Sequence, residues 1–178
     1  MNFKIEKKNF INYFFLIWTL LLYLFLILKA NFHLDLTDES FYILSSSFPK
    51  KIKGIITHFG YLNNLVFNDL GFNIIAFRIF GILFLGVASV FFIINFLIFF
   101  NISTKSNISI KLTTLLFVSA TLYFYKHWLL TPSYNYNIFA SYLMVAGISF
   151  NLLRNEENIG TSSLAYCIFL MWLIRDIS

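Results

Sequence analysis

Five apolar runs constrain this chain more than any other feature of its sequence. The first carries no charged side chain, and the runs cover residues 11–28, 72–100, 112–130, 136–153 and 159–174. A helix rises about 1.5 Å per residue, so the first run alone spans about 27 Å, close to the hydrocarbon thickness of a bilayer. The sequence therefore predicts an all-α, polytopic transmembrane helix bundle of about five helices, forming a single membrane domain over residues 1–178.

The small share of charged residues excludes a soluble domain. Only 12% of the chain is charged, about half the level of a typical soluble domain. The net charge of +5 comes from Lys and Arg scattered at the ends of the apolar runs, where such side chains reach lipid headgroups. We therefore expect membrane lipid as a partner and no nucleic acid. The single cysteine, Cys167, excludes an internal disulfide and is expected to pack within its apolar run.

The first apolar run is expected to be a membrane anchor. A cleaved signal peptide is the alternative, but the run is long and no small-x-small cleavage site follows it. Lys4, Lys7 and Lys8 precede the run and Lys29 alone follows it, which places the N-terminus inside. Over the whole chain, Lys and Arg are divided almost equally between the two sides. We expect a multi-pass protein of the bacterial cytoplasmic (inner) membrane.

With this orientation, residues 30–71 form an outer loop with its own pattern. Two sets of apolar residues repeat at helical spacing there: Phe41, Leu44 and Phe48, then Phe59, Leu62, Val66 and Leu70. The pattern predicts two short amphipathic helices that lie on the membrane surface. A small soluble cap packed on itself is the alternative.

The outer loop also holds the strongest candidates for catalysis, Asp35, Asp38 and Glu39. A carboxylate at this place can accept a proton from an attacking hydroxyl, and Asp38 or Glu39 can also bind a divalent metal ion. The alternative is structural. Thr37 or Asp38 can cap the helix that starts near Ser40, and acids in a first turn complement the helix dipole.

Basic and polar residues elsewhere are candidates for binding a substrate. Arg78 lies near the start of the second run and could hold a lipid phosphate, or reach the headgroups and pair with Asp69. Lys126 could contact a phosphate, and His127 could carry a proton or bind a metal.

An interfacial belt of Lys, Tyr and Trp is the alternative for these last two residues. In the loop that follows, Pro132 and Asn135 suit a turn, and Tyr134 and Asn135 could also line a sugar site. The chain has no phosphate-binding loop, dinucleotide fingerprint, zinc-protease motif or nucleophile elbow.

The arrangement resembles the N-terminal portion of GT-C glycosyltransferases, which include protein O-mannosyltransferases and the lipid A aminoarabinose transferase. The resemblance extends roughly over residues 10–174. It rests on one anchor helix, an outer loop that opens with Asp38-Glu39 and has Tyr42 three positions later, an early Arg78, and the Thr131–Tyr136 loop.

The resemblance implies a polyprenyl-phosphate-linked sugar as donor and a lipid, glycan or protein as acceptor at the outer face. It also implies that Asp38 or Glu39 activates the acceptor or helps to hold a metal, and that Arg78, with Lys126 and His127, faces the lipid phosphate. Family members have about twice as many helices, so we expect this chain to be truncated relative to them. The alternative is a non-enzymatic membrane protein, such as a transporter subunit or assembly factor, or an inactive gene fragment.

Overall fold

The computed structural model describes residues 2–32, 37–52, 59–100, 107–126 and 130–154. These residues form an all-helical structure, which confirms the predicted fold class. The helices are α1 (Asn2–Lys29), α2 (Asp38–Ser47), α3 (Phe59–Asp69), α4 (Ile74–Phe99), α5 (Asn107–Lys126) and α6 (Tyr134–Arg154). The fifth predicted run, residues 159–174, lies outside the described residues.

Among the described residues, three helices are long and apolar enough to cross a membrane, and the chain is therefore a membrane protein. They are Phe10–Lys29, Ile74–Phe99 and Tyr134–Arg154, and they match the first, second and fourth predicted runs. The apolar part of α5 is shorter, Ile110–Tyr125. Its predicted run continued to residue 130, whereas α5 ends at Lys126 and Leu130 already belongs to the irregular segment before α6.

Helix α4 lies at the centre of the bundle, against α5, α6 and α1. The core between these helices is apolar, with Leu26, Leu85 and Leu122 fully buried. A polar contact joins α1 to α5, where Thr19 Oγ1 and Ser119 Oγ are 2.7 Å apart. The outward faces carry exposed apolar side chains such as Val87 and Tyr142, as expected where hydrocarbon is the solvent.

A glycine allows α4 and α6 to cross closely. A Cβ atom at Gly147 of α6 would lie 2.7 Å from two ring carbons of Phe91 and 3.2 Å from the Cα of Phe92. Contacts this short are strongly repulsive, so the crossing requires a residue without a side chain.

Helices α2 and α3 pack on each other at the end of the bundle where α1 ends and α4 and α6 begin; we call this pair the cap. Their crossing is also close, because a Cβ at Gly60 would lie 2.6 Å from the carbonyl oxygen of Ser45. Asn64 Nδ2 donates to the carbonyl of Ser46 at 2.7 Å across the same crossing. The cap is thus a packed unit.

A tight turn joins the cap to α4. Gly71 and Phe72 both have left-handed backbones, with φ of 63° and 59°, a conformation that glycine adopts easily and phenylalanine rarely. The Phe72 ring packs edge-on against Phe67 at 5.4 Å, which offsets part of that cost. Asn73 then caps α4 by accepting a hydrogen bond from the backbone N–H of Ala76 at 3.0 Å.

The two predicted apolar stripes behave differently. Phe59 of α3 is buried, and Leu62, Val66 and Leu70 are half-buried. In α2, by contrast, the predicted stripe of Phe41, Leu44 and Phe48 is exposed. The buried residues of α2 are Glu39, Tyr42, Ser45 and Ser46. The helical periodicity located both helices correctly, but it did not indicate which face of α2 meets the protein.

Replacing Gly147 with leucine should separate α4 from α6. We expect Gly147→Leu to lower the free energy of unfolding by about 1–3 kcal/mol, measured by titrating the purified protein with SDS in detergent micelles. Val87→Leu, at an exposed position of α4, is the matched control and should leave the midpoint unchanged. An unchanged midpoint for Gly147→Leu would contradict the close crossing.

Candidate functional site

A buried arginine lies at the cap end of the bundle. Arg78, in the second turn of α4, is only 4% exposed. Its Nη2 lies 2.7 Å from Glu39 Oε1. Its Nε donates to the same oxygen at 3.0 Å and also lies 3.2 Å from Thr131 Oγ1. Its Nη1 donates to the backbone carbonyl of Ala30 at 2.8 Å. The guanidinium therefore ties α4 to α2, to the end of α1 and to the segment before α6.

The partner of this arginine is Glu39, in the first turn of α2 and 3% exposed. Besides Arg78, the hydroxyl of Thr131 donates a short hydrogen bond to Glu39 Oε1. The pairing of Arg78 with Asp69, weighed as an alternative from the sequence, is wrong, because Asp69 is exposed at the end of α3. The structure thus joins a predicted catalytic residue to a predicted phosphate-binding residue.

Thr131 is the member of this network that sequence reasoning missed. It is fully buried in the segment between α5 and α6, which is held at two further points. The carbonyl of Pro132 accepts from Asn63 Nδ2 at 2.9 Å, and the hydroxyl of Ser133 accepts from the backbone N–H of Tyr136 at 3.2 Å, at the start of α6. The only sequence signal was a Thr beside a Pro in a predicted turn.

The burial of the Arg78–Glu39 ion pair determines its effect on stability. Two opposite charges removed from water attract each other strongly, but each has also lost its hydration. Two additional hydrogen bonds replace part of that hydration: Thr131 donates to Glu39 and the carbonyl of Ala30 accepts from Arg78. Removing one charge leaves the other buried without compensation, which is far more costly than removing both. The network is therefore a strong constraint on how α2 sits against α4.

Asp38 differs from its neighbour, since its side chain is exposed. It also lies in the first turn of α2, where a negative charge is favourable next to the helix N-terminus. Thr37 occupies the N-cap position without making a side-chain capping hydrogen bond, so the capping alternative is wrong for Thr37. The structure therefore separates the acidic pair into a buried carboxylate and an accessible one.

An aromatic cluster borders this site. The ring of Tyr42 lies 5.8 Å from that of Phe59 and 6.0 Å from that of Tyr134, both in edge-on contacts. Burial raises the pKa of Tyr42 above its usual value, with smaller contributions from Tyr134 and from the carboxylate of Asp38. Tyr42 therefore stays a neutral hydrogen-bonding group at physiological pH. Tyr134 is thus part of the same end of the protein as the acidic pair, as predicted.

Two of the remaining predicted residues belong to described helices. Asn135 is half-buried in the first turn of α6, and Lys126 is the last residue of α5. Asp35 and His127 lie outside the described residues. Within the described ranges, no group of three or more His, Cys, Asp or Glu side chains could hold a metal ion.

An apolar groove opens at the same end of the bundle, between α3, α4 and α6. Its volume is about 200 Å³. Apolar side chains form most of its wall, among them Leu62, Phe77, Phe80, Phe84 and Met144. Its polar lining includes two amides, and Asn137 Nδ2 donates to Asn63 Oδ1 at 3.0 Å. A narrow apolar groove of this size suits a hydrocarbon chain better than a polar ligand.

The ion pair predicts a large difference between the two neighbouring carboxylates. Glu39→Gln keeps the side-chain shape but leaves Arg78 with an unpaired buried charge, and should cost about 3–5 kcal/mol of stability. Asp38→Asn is the matched control, and a change at this exposed position should stay within about 0.5 kcal/mol. Both are measured from SDS unfolding midpoints. Combining Glu39→Gln with Arg78→Gln should recover stability relative to Glu39→Gln alone, and equal midpoints for the two single variants would contradict the pair.

Comparisons of the chain with protein-family models, with curated proteins and with solved structures found no match. The functional interpretation therefore rests on the residues and geometry described above.

Proposed function

We propose that this chain is part of a membrane glycosyltransferase of the GT-C type, which moves a sugar from a polyprenyl-phosphate donor to an acceptor at the outer face of the membrane. The observation that supports it best is the difference in exposure between the two neighbouring acids, Asp38 and Glu39. Glu39 is buried against Arg78, and this contact holds the adjacent, exposed Asp38 at one end of a transmembrane bundle. A rigidly mounted, accessible carboxylate is what a general base requires.

Asp38 is the proposed general base. The acceptor hydroxyl transfers its proton to the Asp38 carboxylate as its oxygen attacks the anomeric carbon of the sugar. The bond between that carbon and the phosphate oxygen breaks, and polyprenyl phosphate leaves with the electron pair. Positive charge near the leaving phosphate lowers the barrier to this step.

Glu39 and Arg78 are proposed as positioning residues. The contacts of Arg78 with Glu39, Thr131 and Ala30 enclose its guanidinium, so this residue is better suited to hold the site together than to bind the donor. Lys126 at the end of α5, and His127 next to it in the sequence, are then the cations proposed to face the leaving phosphate.

The apolar groove between α3, α4 and α6 is the proposed place for the polyprenyl chain. It lies at the same end of the bundle as the cap and reaches into the membrane-spanning helices through Phe84 and Met144. A lipid-linked donor needs an apolar path for its chain and a polar site for its sugar at one end of the same protein. The groove beside the cap, with Tyr42 and Tyr134 at the same end, supports this proposal.

A non-enzymatic membrane protein, such as a transporter subunit or assembly factor, is the alternative. A solute pathway requires polar groups deep within the helices. In the part of the bundle that the structure describes, the polar groups between helices include the Thr19–Ser119 contact, whose hydroxyls already bond each other. The hydroxyl of Ser89 in α4 is likewise bonded to the carbonyl of Leu85. Both observations favour the transferase.

Release of polyprenyl phosphate tests the proposal without knowledge of the sugar. Membranes from cells that express the chain are supplied with a panel of polyprenyl-phosphate sugars labelled in the lipid, and the free lipid phosphate is measured. Asp38→Asn should lower the rate by about 100-fold or more, because the general base is lost.

Asp69→Asn, which neutralises the other described acid that is exposed on the cap, is the matched control and should keep the full rate. Full activity of Asp38→Asn, in protein with an unchanged unfolding midpoint, would remove Asp38 from the mechanism. If membranes with the unaltered chain release no polyprenyl phosphate, the result contradicts the glycosyltransferase proposal and favours the non-enzymatic alternative.

A further inference from the structure

Helix α2 has the polarity of its two faces inverted. The side turned toward the protein contains Glu39, Ser45 and Ser46, all nearly inaccessible. The side turned away contains Phe41, Leu44 and Phe48, which are 42%, 52% and 50% exposed. A helix packed on a water-soluble protein has the opposite arrangement, with its apolar stripe inward.

The buried face is stable despite its polarity, because its hydrogen bonds are satisfied locally. The hydroxyls of Ser45 and Ser46 donate to the carbonyls of Phe41 and Tyr42 in the preceding turn, both at 2.7 Å. Helix α2 is attached to the rest of the protein by the ion pair of Glu39 with Arg78 of α4 and by the hydrogen bond from Asn64 of α3 to the carbonyl of Ser46. The apolar face is therefore held outward by the fold and cannot turn inward without breaking the buried network.

Lysines follow the apolar stripe at its C-terminal end. A turn over residues 48–51 is closed by the backbone N–H of Lys51, which donates to the carbonyl of Phe48 at 3.0 Å. It places the Lys51 ammonium over the Phe48 ring, 5.0 Å from its centroid. Lys50 beside it is also exposed. At the opposite end of the stripe lies the exposed Asp38.

We propose that the outward face of α2 lies in the interfacial layer of the membrane and binds anionic phospholipid headgroups through Lys50 and Lys51. An apolar stripe with basic residues at its border is the pattern of helices that insert part-way into a leaflet. Anionic headgroups attract each such lysine by about fivefold in affinity. The negative Asp38 end is repelled by the same headgroups and is directed to the aqueous side. This inference does not depend on the glycosyltransferase proposal.

A fluorescent probe on α2 tests this placement in the full chain. Cys167 is the only cysteine, so a Cys167→Ser background allows a single label at Leu44→Cys. Asn68→Cys, at an exposed polar position near the end of α3, is the matched control. The labelled proteins are reconstituted in vesicles of phosphatidylcholine with or without phosphatidylglycerol. Quenching is measured with nitroxide-labelled lipid and with acrylamide in the water.

We expect the label at position 44 to be quenched several-fold more by the nitroxide lipid, and several-fold less by acrylamide, than the label at position 68. Phosphatidylglycerol should increase the difference, and replacing Lys50 and Lys51 together by glutamine should remove that increase. Equal acrylamide quenching at positions 44 and 68 would overturn the proposal, because α2 would then face water. Protection of position 44 from both quenchers would also overturn it, in favour of a protein surface such as a second copy of the chain. An unchanged response to phosphatidylglycerol in the lysine variant would overturn the headgroup contact.

Discussion

The burial of a charge pair at one end of an apolar bundle is the constraint on which the rest of this end depends. Neither Arg78 nor Glu39 can be left alone where water is excluded, so the surrounding chain must bring them together and supply their remaining hydrogen bonds. Four separate parts of the chain meet for this purpose: the end of α1, the start of α2, the second turn of α4 and the segment before α6. The arrangement of the cap follows from that convergence.

The polar groups are consequently distributed unequally between the membrane helices and the cap end of the bundle. Within the membrane helices, the described polar contacts include hydroxyl bonds of short reach, such as Thr19 with Ser119 and Ser89 with its own helix. At the cap end, charges, amides, hydroxyls and tyrosines are concentrated within a few helical turns.

The sequence predicted most of the helices because their formation depends on local composition. Long apolar runs identify α1, α4 and α6, and helical spacing of apolar residues identifies α2 and α3. Helix α1 nevertheless begins at Asn2, well before its apolar run, since a basic, polar segment can continue a helix out of the membrane.

The contacts of the site could not be predicted in the same way. The partner of Arg78 was sought at Asp69, close along the chain, whereas Glu39 is 39 positions away and Thr131 lies 92 positions from Glu39. Residue spacing carries no information on such distant pairs. An apolar stripe also does not indicate whether it packs on the protein or faces outward. The face of α2 that packs on the protein is therefore known only from the structure.

The order of the three network residues along the chain also bears on how the cap forms during synthesis. Glu39 is synthesised before Arg78, and both precede Thr131. During insertion, the carboxylate of Glu39 must therefore stay in contact with water until α4 is in place, and α2 can settle on the bundle only afterwards. Closure of the network then waits for the segment before α6. The cap follows the first helix in sequence, yet the contacts that fix it are complete only after the segment before α6 has been synthesised.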